Sequence, residues 1–204
     1  MRAAGLLGAL LLVPTWAAAA PTRLVVEPVS FGVEKLDPLY DASGLESRVA
    51  ARIGAGLGCD LGHGLQAGLA AGTASGVTTF GLLAAPTARV VRTDLSLELR
   101  GRVPHDLRGW KLQGAVGVGR LRLAYHPDSI GIETSAGVIA VDLPPVNAWT
   151  RLAAAEVLHS FGRAEIALRC AWLFYALDVA AAAGTRATDA VDMQAGLLIR
   201  VSPF

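Results

Sequence analysis

Strict alternation over eleven residues is the feature that most limits how this chain can fold. The segment RTDLSLELRGR (92–102) has charged or hydroxyl side chains at the even positions and leucine, threonine or glycine at the odd ones. A period of two places these sets on opposite faces of a β-strand. Such a strand fits a soluble sheet whose leucines face a core, or a membrane barrel whose leucines face lipid and whose charges face the lumen.

The same period recurs along the chain and predicts about eight strands. The alternating runs cover residues 48–59, 65–73, 89–103, 110–120, 130–141, 149–161, 163–178 and 191–204. Short turn-rich connections alternate with longer ones at 74–88, 122–129 and 179–190, as in a barrel with turns at one end and loops at the other. This order fails at FGR (161–163), which is short where a long loop is due. The strand count is therefore open by one.

The first 19 residues have the form of a signal peptide. Arg2 precedes an apolar run that ends at Pro14, and a small-residue alanine tract follows. We place cleavage after Ala19, because a proline directly after the cut would make a poor substrate. Residues 20–44 then form an N-terminal lead-in, in which RLVVE could add a strand or part of a plug, and 45–204 form the main domain. No later segment reaches 18 uncharged apolar residues, so a membrane location would require a barrel.

Run length and the composition of the polar face separate the two environments. Soluble strands average about 5–6 residues, whereas a tilted strand needs about 9–11 to cross a bilayer. Five or six of the runs reach the longer figure. The polar face mixes glycines with both signs of charge, which suits the narrow lumen of an eight-stranded barrel, provided that the buried charges pair. The predicted lumen network is Arg48, Arg52, Arg92, Asp94, Glu98, Arg100, Lys111, Glu133, Glu165, Arg169, Asp192 and Arg200.

The sequence therefore favours an all-β fold, a closed antiparallel up-and-down transmembrane β-barrel of about eight strands. Lys and Arg number 18 against 17 Asp and Glu, so the charge balance excludes the basic surface that binds nucleic acid. A soluble secreted or periplasmic β-sheet protein remains the alternative fold.

On these features the chain resembles the small outer-membrane β-barrel proteins of Gram-negative bacteria. The resemblance covers about residues 45–204 and rests on the signal peptide, the strand series and the terminal Phe204, the position at which this family carries an aromatic assembly signal. The apolar set lies on the other parity from Phe204, and a bulge at Pro203 would reset the phase. The resemblance implies an outer-membrane location and contact with its lipid, with lipopolysaccharide and with the barrel-assembly machinery. It leaves envelope protein partners open.

Residues with catalytic or metal-binding potential are sparse. The four histidines show no metal-ligand spacing, and neither a metal nor a cofactor is predicted. Some eight-stranded outer-membrane barrels deacylate lipid A with a Ser, His and Glu set, for which His159, Ser160 and Glu165 are the candidates here. Adjacent strand residues point to opposite faces, so His159 and Ser160 are poorly placed for proton transfer. No catalytic residue is predicted, and the deacylase is kept as an alternative.

The functional interpretation is a structural or interaction role in the cell envelope. Eight strands enclose a lumen just wide enough for side chains to fill, so no open pore is expected. The sequence assigns no ligand or activity, and no role to residues 20–44 or to the apolar loop 74–88.

Overall fold

The computed structural model describes residues 23–35, 49–79, 87–135, 137–181 and 184–202. The predicted signal peptide, Arg48 and Phe204 lie outside these ranges. No helix within them is long and apolar enough to cross a membrane. The described chain is almost entirely β-structure, and its strands are β1 (Arg23–Lys35), β2 (Val49–Gly62), β3 (Leu65–Thr79), β4 (Thr87–Leu107), β5 (Trp110–His126), β6 (Ser129–Thr134), β7 (Gly137–Asp142), β8 (Val146–Phe161), β9 (Ala164–Ala181) and β10 (Gly184–Val201).

Eight of these strands close into one barrel. Its order is β1-β2-β3-β4-β5-β8-β9-β10, and β10 pairs back onto β1. Every pair is antiparallel, and the closing seam runs from Lys35 opposite Met193 to Val26 opposite Val201. Closure gives each of the eight described wall strands a paired neighbour on both sides. The predicted fold class, a closed antiparallel barrel of eight strands, is confirmed.

The two ends of the barrel differ in their connections. Three two-residue turns lie at one end, and the described chain termini lie there too, since Arg23 pairs with Asp60 and Val201 with Ala164. His63 and Arg108 have φ of 54° and 57° and are each followed by a glycine with positive φ, as hairpin turns that match strand twist require. The opposite end carries the connections 36–48, 80–86, 127–145 and 182–183. We call the end with the three two-residue turns the turn end and the opposite end the loop end.

The first barrel strand is one that period-two analysis did not recognise. Residues 23–35 form β1, so the barrel begins before residue 45, and the predicted lead-in boundary at 44 is wrong. A bulge between Val26 and Val29 interrupts the pairing with β10. The buried side chains therefore change parity along the strand, from Val25 and Glu27 before the bulge to Glu34 after it. With β1 included, long and short connections alternate from β1 to β9, and FGR is a turn-end connection; the exception is the two-residue connection 182–183 between β9 and β10.

The run 130–141, predicted as one barrel strand, is instead a hairpin outside the barrel wall. β6 and β7 pair only with each other, from Ser129 opposite Asp142 to Thr134 opposite Gly137. Gly137 has a φ of 121°, a backbone conformation that favours glycine, and the chain reverses there. Glu133, predicted for the lumen, therefore belongs to this hairpin. The predicted number of barrel strands, eight, is correct because β1 was missed while the run 130–141 was counted as a barrel strand.

The wall is apolar on its outside and charged on its inside, which settles the environment of RTDLSLELRGR. On β4 the side chains of Leu95, Leu97 and Leu99 are 47–55% exposed, whereas Glu98 and Arg100 are 2% and 6% exposed. A soluble sheet would show the reverse, with leucines buried and charges in water. The pattern is that of a barrel whose exterior faces an apolar medium.

The apolar exterior forms a belt of defined height. On β5 the outward residues from the turn end upward are Trp110, Leu112, Gly114, Val116, Val118, Arg120 and Arg122. Ten residues separate Trp110 from Arg120, which at about 3.3 Å per residue and a tilt of about 40° is roughly 25 Å along the barrel axis. The same interval on β8 separates Phe161 from Arg151. This height matches the apolar band of outer-membrane barrels, about 25 Å.

A charged lumen as the candidate functional site

The inside of the barrel is filled by ion pairs. Among the described residues, seven acidic and seven basic side chains pair with one another there: Glu27, Glu34, Asp94, Glu98, Glu156, Glu165 and Asp192 with Arg52, Arg92, Arg100, Arg102, Lys111, Arg169 and Arg200. The two signs balance. Because a lone buried ion costs several kcal/mol to desolvate, an equal number of partners is the condition for placing so many in a lumen.

An upper cluster lies toward the loop end and spans the closing seam. Arg92 on β4 is fully buried and contacts both Glu34 on β1 and Asp192 on β10. Arg52 on β2 donates through Nη2 to Asp94 Oδ2 at 2.9 Å, and its Nη1 lies 3.5 Å from Glu34 Oε2. Four strands therefore share one set of ion pairs, and the strands on both sides of the seam belong to it.

A lower cluster is centred on Glu98. Its two carboxylate oxygens accept hydrogen bonds from Arg169 at 2.8 and 2.9 Å, and one of them also accepts from Arg100 Nε at 3.0 Å. Ser96 Oγ adds a contact at 3.1 Å. Glu98 lies on β4 and Arg169 on β9, three strands away in the barrel order, so this pair crosses the lumen. The crossing blocks the axis at this height.

Arg200 extends the lower cluster to the seam. It is 1% exposed and donates to Glu156 at 2.7 Å, to Gln113 at 2.9 Å and to Glu27 at 3.2 Å. Glu156 in turn accepts from Arg169 at 2.9 Å. Strands β10, β8, β5 and β1 are thereby linked through one guanidinium, whose planar geometry suits several acceptors at once.

A third, more solvent-exposed group lies near the turn end. Glu165 accepts two hydrogen bonds from Arg102 at 2.9 and 3.0 Å and one from Ser160 Oγ at 3.1 Å. Lys111 donates to Ser160 at 2.9 Å and lies 4.0 Å from Glu165. The side chains of Arg102, Lys111 and Glu165 are about a fifth to a quarter exposed, so water reaches this end of the lumen.

The three deacylase candidates are not brought together. Ser160 and Glu165 contact each other on the inner face, whereas His159 packs on the outer face with Trp110 and Phe161, at ring-centroid distances of 4.8 and 4.5 Å. The partner of Ser160 is Lys111 rather than a histidine. This arrangement gives the serine no base on the lipid-facing wall and no route for its proton to His159.

Ten of the twelve residues predicted for the lumen network form ion pairs inside the barrel; Arg48 lies outside the described residues, and Glu133 is on the β6–β7 hairpin. Sequence reasoning missed Glu27 and Glu34, which lie on the unrecognised strand β1. It also missed Arg102, which is at an even position of β4 like the inward-facing Arg100. It also missed Glu156, because the parity of Arg151 conflicted with it. Among the described residues, no group of three or more His, Cys, Asp or Glu is placed to hold a metal ion.

The cavity between the two ion-pair clusters is small. A cavity of about 50 Å³ lies beside the upper and lower clusters, lined by residues that include Glu27, Ser30, Arg52, Asp94 and Glu98. That volume holds a few water molecules. Toward the loop end the lumen becomes apolar, and the buried side chains there include Leu121, Leu123, Tyr125 and Tyr175, with Leu143 and Val146 packed against them. Ion pairs and this apolar layer together fill the described lumen.

The central position of Glu98 gives a stability prediction. Glu98→Ala leaves Arg169 and Arg100 short of a buried acceptor, and we expect a loss of about 3–5 kcal/mol of unfolding free energy. Lys111→Ala removes a partly exposed contact and should cost less than about 1 kcal/mol. The measurement is urea-dependent unfolding of each variant in the same lipid vesicles. Equal midpoints for the two variants would contradict a tightly paired lumen.

Gly72 gives a second prediction, because a β-carbon there would overlap the Arg52 guanidinium. We expect Gly72→Ala to push Arg52 away from Asp94 and to destabilise the barrel by about 1–3 kcal/mol, as overpacking of an interior does. Gly114→Ala is the matched control, because this mid-strand glycine faces outward and its β-carbon would have its nearest neighbour 4.0 Å away. Unfolding midpoints for both variants test this, and similar values would contradict it.

Comparison with known proteins supports the fold. No protein-family model and no curated protein matches the sequence. Among solved structures, neisserial surface protein A is similar with a TM-score of 0.58 at 7% identity, covering 88% of this chain and 96% of that one. The attachment invasion locus protein Ail of Yersinia pestis gives a TM-score of 0.49 at 7% identity, covering 88% and 99%. The outer membrane protease OmpT of Escherichia coli gives 0.41 at 9%, covering 91% and 99%.

At 7% identity the likeness to neisserial surface protein A concerns the fold alone. It agrees with the closed eight-stranded order. The resemblance drawn from the sequence is therefore confirmed: this chain has the fold of the small outer-membrane β-barrels.

Proposed function

We propose that the protein is exported to the outer membrane and acts there as a sealed barrel, with a structural or interaction role rather than transport or catalysis. The observation that carries the proposal is the filled lumen, in which fourteen charged side chains form cross-barrel ion pairs. A transport path would require these pairs to separate, at a cost of several kcal/mol for each ion left unpaired.

The exterior supports placement across a membrane. Large apolar side chains around the wall are about half exposed, among them Phe31, Ile53, Leu69 and Val116. An apolar exterior on this scale would aggregate in water, whereas a bilayer accommodates it. The belt height of roughly 25 Å suits an outer membrane, and the signal-peptide pattern of residues 1–19 supports export.

The loop end supports an interaction role. The hairpin β6–β7 adds no strand to the wall, and it extends the chain between β5 and β8 by two strands of six residues each. Val138 and Ile139 on this hairpin are 70% and 54% exposed. In an outer-membrane barrel the longer connections face the outside of the cell, so this hairpin would be presented to partners there.

Cell fractionation and conductance test the proposal together. We expect the protein in the outer-membrane fraction, with an unboiled band that migrates faster on an SDS gel than the boiled band. In planar bilayers it should give no discrete conductance steps under conditions in which a 16-stranded porin, prepared the same way, does so. Expression in a suitable host should leave the mass of lipid A unchanged.

Each measurement tests a different part of the proposal. Recovery in the soluble periplasmic fraction without a heat-dependent shift would overturn the membrane location. Regular conductance steps would overturn the sealed lumen, and a change in lipid A mass would establish an enzyme instead. Replacing residues 129–142 by a short Gly-Ser linker is the control for the hairpin, because the wall strands do not include it and heat-dependent migration should persist.

A further inference from the structure

Three arginines face outward at the upper edge of the apolar belt. Arg120 and Arg122 follow the apolar outward residues of β5, and Arg151 occupies the corresponding place on β8. All three side chains are exposed on the outer wall, on the opposite face from the lumen charges. They lie on the loop-end side of the belt, some ten residues above Trp110 and Phe161.

Strand register places these arginines in one patch. Arg120 lies opposite Trp149, and Arg151 is two residues from Trp149 on the same face of β8. Arg120 and Arg151 are therefore diagonal neighbours on adjacent strands, and such side chains are about 7–8 Å apart. Arg120 and Arg122 are two residues apart on one strand, which is a similar distance. Arg122 and Arg151 are four positions apart in the register, roughly 14 Å, so the three guanidinium groups can reach one ligand of about that size. We call Arg120, Arg122, Arg151 and Trp149 the arginine patch.

Trp149 fixes one side of the patch. Its ring is 69% exposed, and the guanidinium carbon of Arg120 lies 4.9 Å from the ring centroid. This distance is that of a cation–π contact, which orients the arginine along the wall. Tryptophan at the edge of an apolar belt is typical of a membrane interface. The patch therefore lies at headgroup depth if the belt spans the hydrocarbon.

The patch has no acidic partner in the described structure. Outward positions from 89 to 103 on β4, 110 to 126 on β5 and 147 to 161 on β8 include no Asp or Glu. At the level of Arg151 the next two strands are uncharged, since Arg151 lies opposite Phe174 on β9, and Phe174 lies opposite Val191 on β10. Inside the barrel the same residue type is always paired with a carboxylate. The positive charge of the patch is thus left for an external anion.

We infer that the arginine patch binds the phosphate groups of lipid A, the membrane anchor of lipopolysaccharide. Guanidinium groups match phosphate oxygens in bidentate geometry, and such charge-assisted hydrogen bonds are stronger than neutral ones. Toward the turn end from the patch the outward wall is apolar, with Leu99, Leu112 and Val116 each 47–60% exposed, so acyl chains can lie against it. A ligand with phosphates above and acyl chains below fits both surfaces. This inference rests on the outer-membrane location proposed above.

A double variant tests the inference on the whole folded protein. Arg122→Gln/Arg151→Gln removes two charges and keeps the Arg120–Trp149 contact. Arg108→Gln/Arg163→Gln is the matched control, because these arginines are also exposed but lie in turn-end turns. The probe is diphosphoryl lipid A, titrated into each protein in phosphatidylcholine nanodiscs, with bound lipid counted by native mass spectrometry. We expect at least about tenfold weaker binding for the patch variant and no change for the control.

The outcomes separate this inference from the proposed function. Equal affinity in all three proteins, or an equal loss in both variants, overturns a phosphate site at the patch. Phosphatidylglycerol that competes as well as diphosphoryl lipid A also overturns it, because the patch would then recognise any anionic lipid. Heat-dependent gel migration is measured first on each protein. Failure to insert into the bilayer would contradict the proposed outer-membrane barrel itself, whereas an inserted barrel with unchanged binding contradicts only the arginine patch.

Discussion

Neutralisation of internal charge is the constraint on which this structure depends. A lumen lined by seven acids and seven bases is tolerable only when each ion has its partner, because the desolvation cost of an unpaired ion approaches the whole stability of a domain. The pairs reach between strands far apart in sequence, such as Arg200 with Glu27 and Arg92 with Asp192. Correct pairing therefore requires the barrel to be closed in its native register, and closure and neutralisation depend on each other.

Glycine and alanine make room for these pairs. An eight-stranded barrel has an interior just wide enough for side chains, and arginine is among the longest. Strands β2 and β3 meet the difficulty with inward glycines, and Gly72 lies directly under the Arg52 guanidinium. The inward glycines of these strands thus follow from the narrow width of the barrel. The narrow barrel admits few large side chains, and those it admits lie against backbone that carries no side chain.

The alternation of apolar and polar residues predicted most of this fold, because a barrel with an apolar outside and a polar inside imposes it on nearly every wall strand. It failed where backbone geometry changes the parity or the direction of the chain. The bulge after Val26 moves the inward set of β1 from odd to even positions, so neither half is long enough to be recognised. Gly137 reverses the chain within an unbroken alternating run, since a hairpin keeps the period of its strands. Cross-lumen partners such as Glu98 and Arg169 depend on strand order and closure, which no local pattern contains.

The sequence alone could not resolve which side chains of β8 face the lumen, because Arg151 and Glu156 lie on opposite parities. Arg151 and Glu156 lie five residues apart, and their phase is ambiguous only if every charge is assumed to face the lumen. Among the described wall residues, one set of arginines is paired inside the barrel and another is exposed at the edge of the belt. Glu156 belongs to the inner face and Arg151 to the outer face, so the alternation of β8 is regular. A charged residue on the apolar parity of a barrel strand is therefore informative, because it marks the height at which the apolar belt ends.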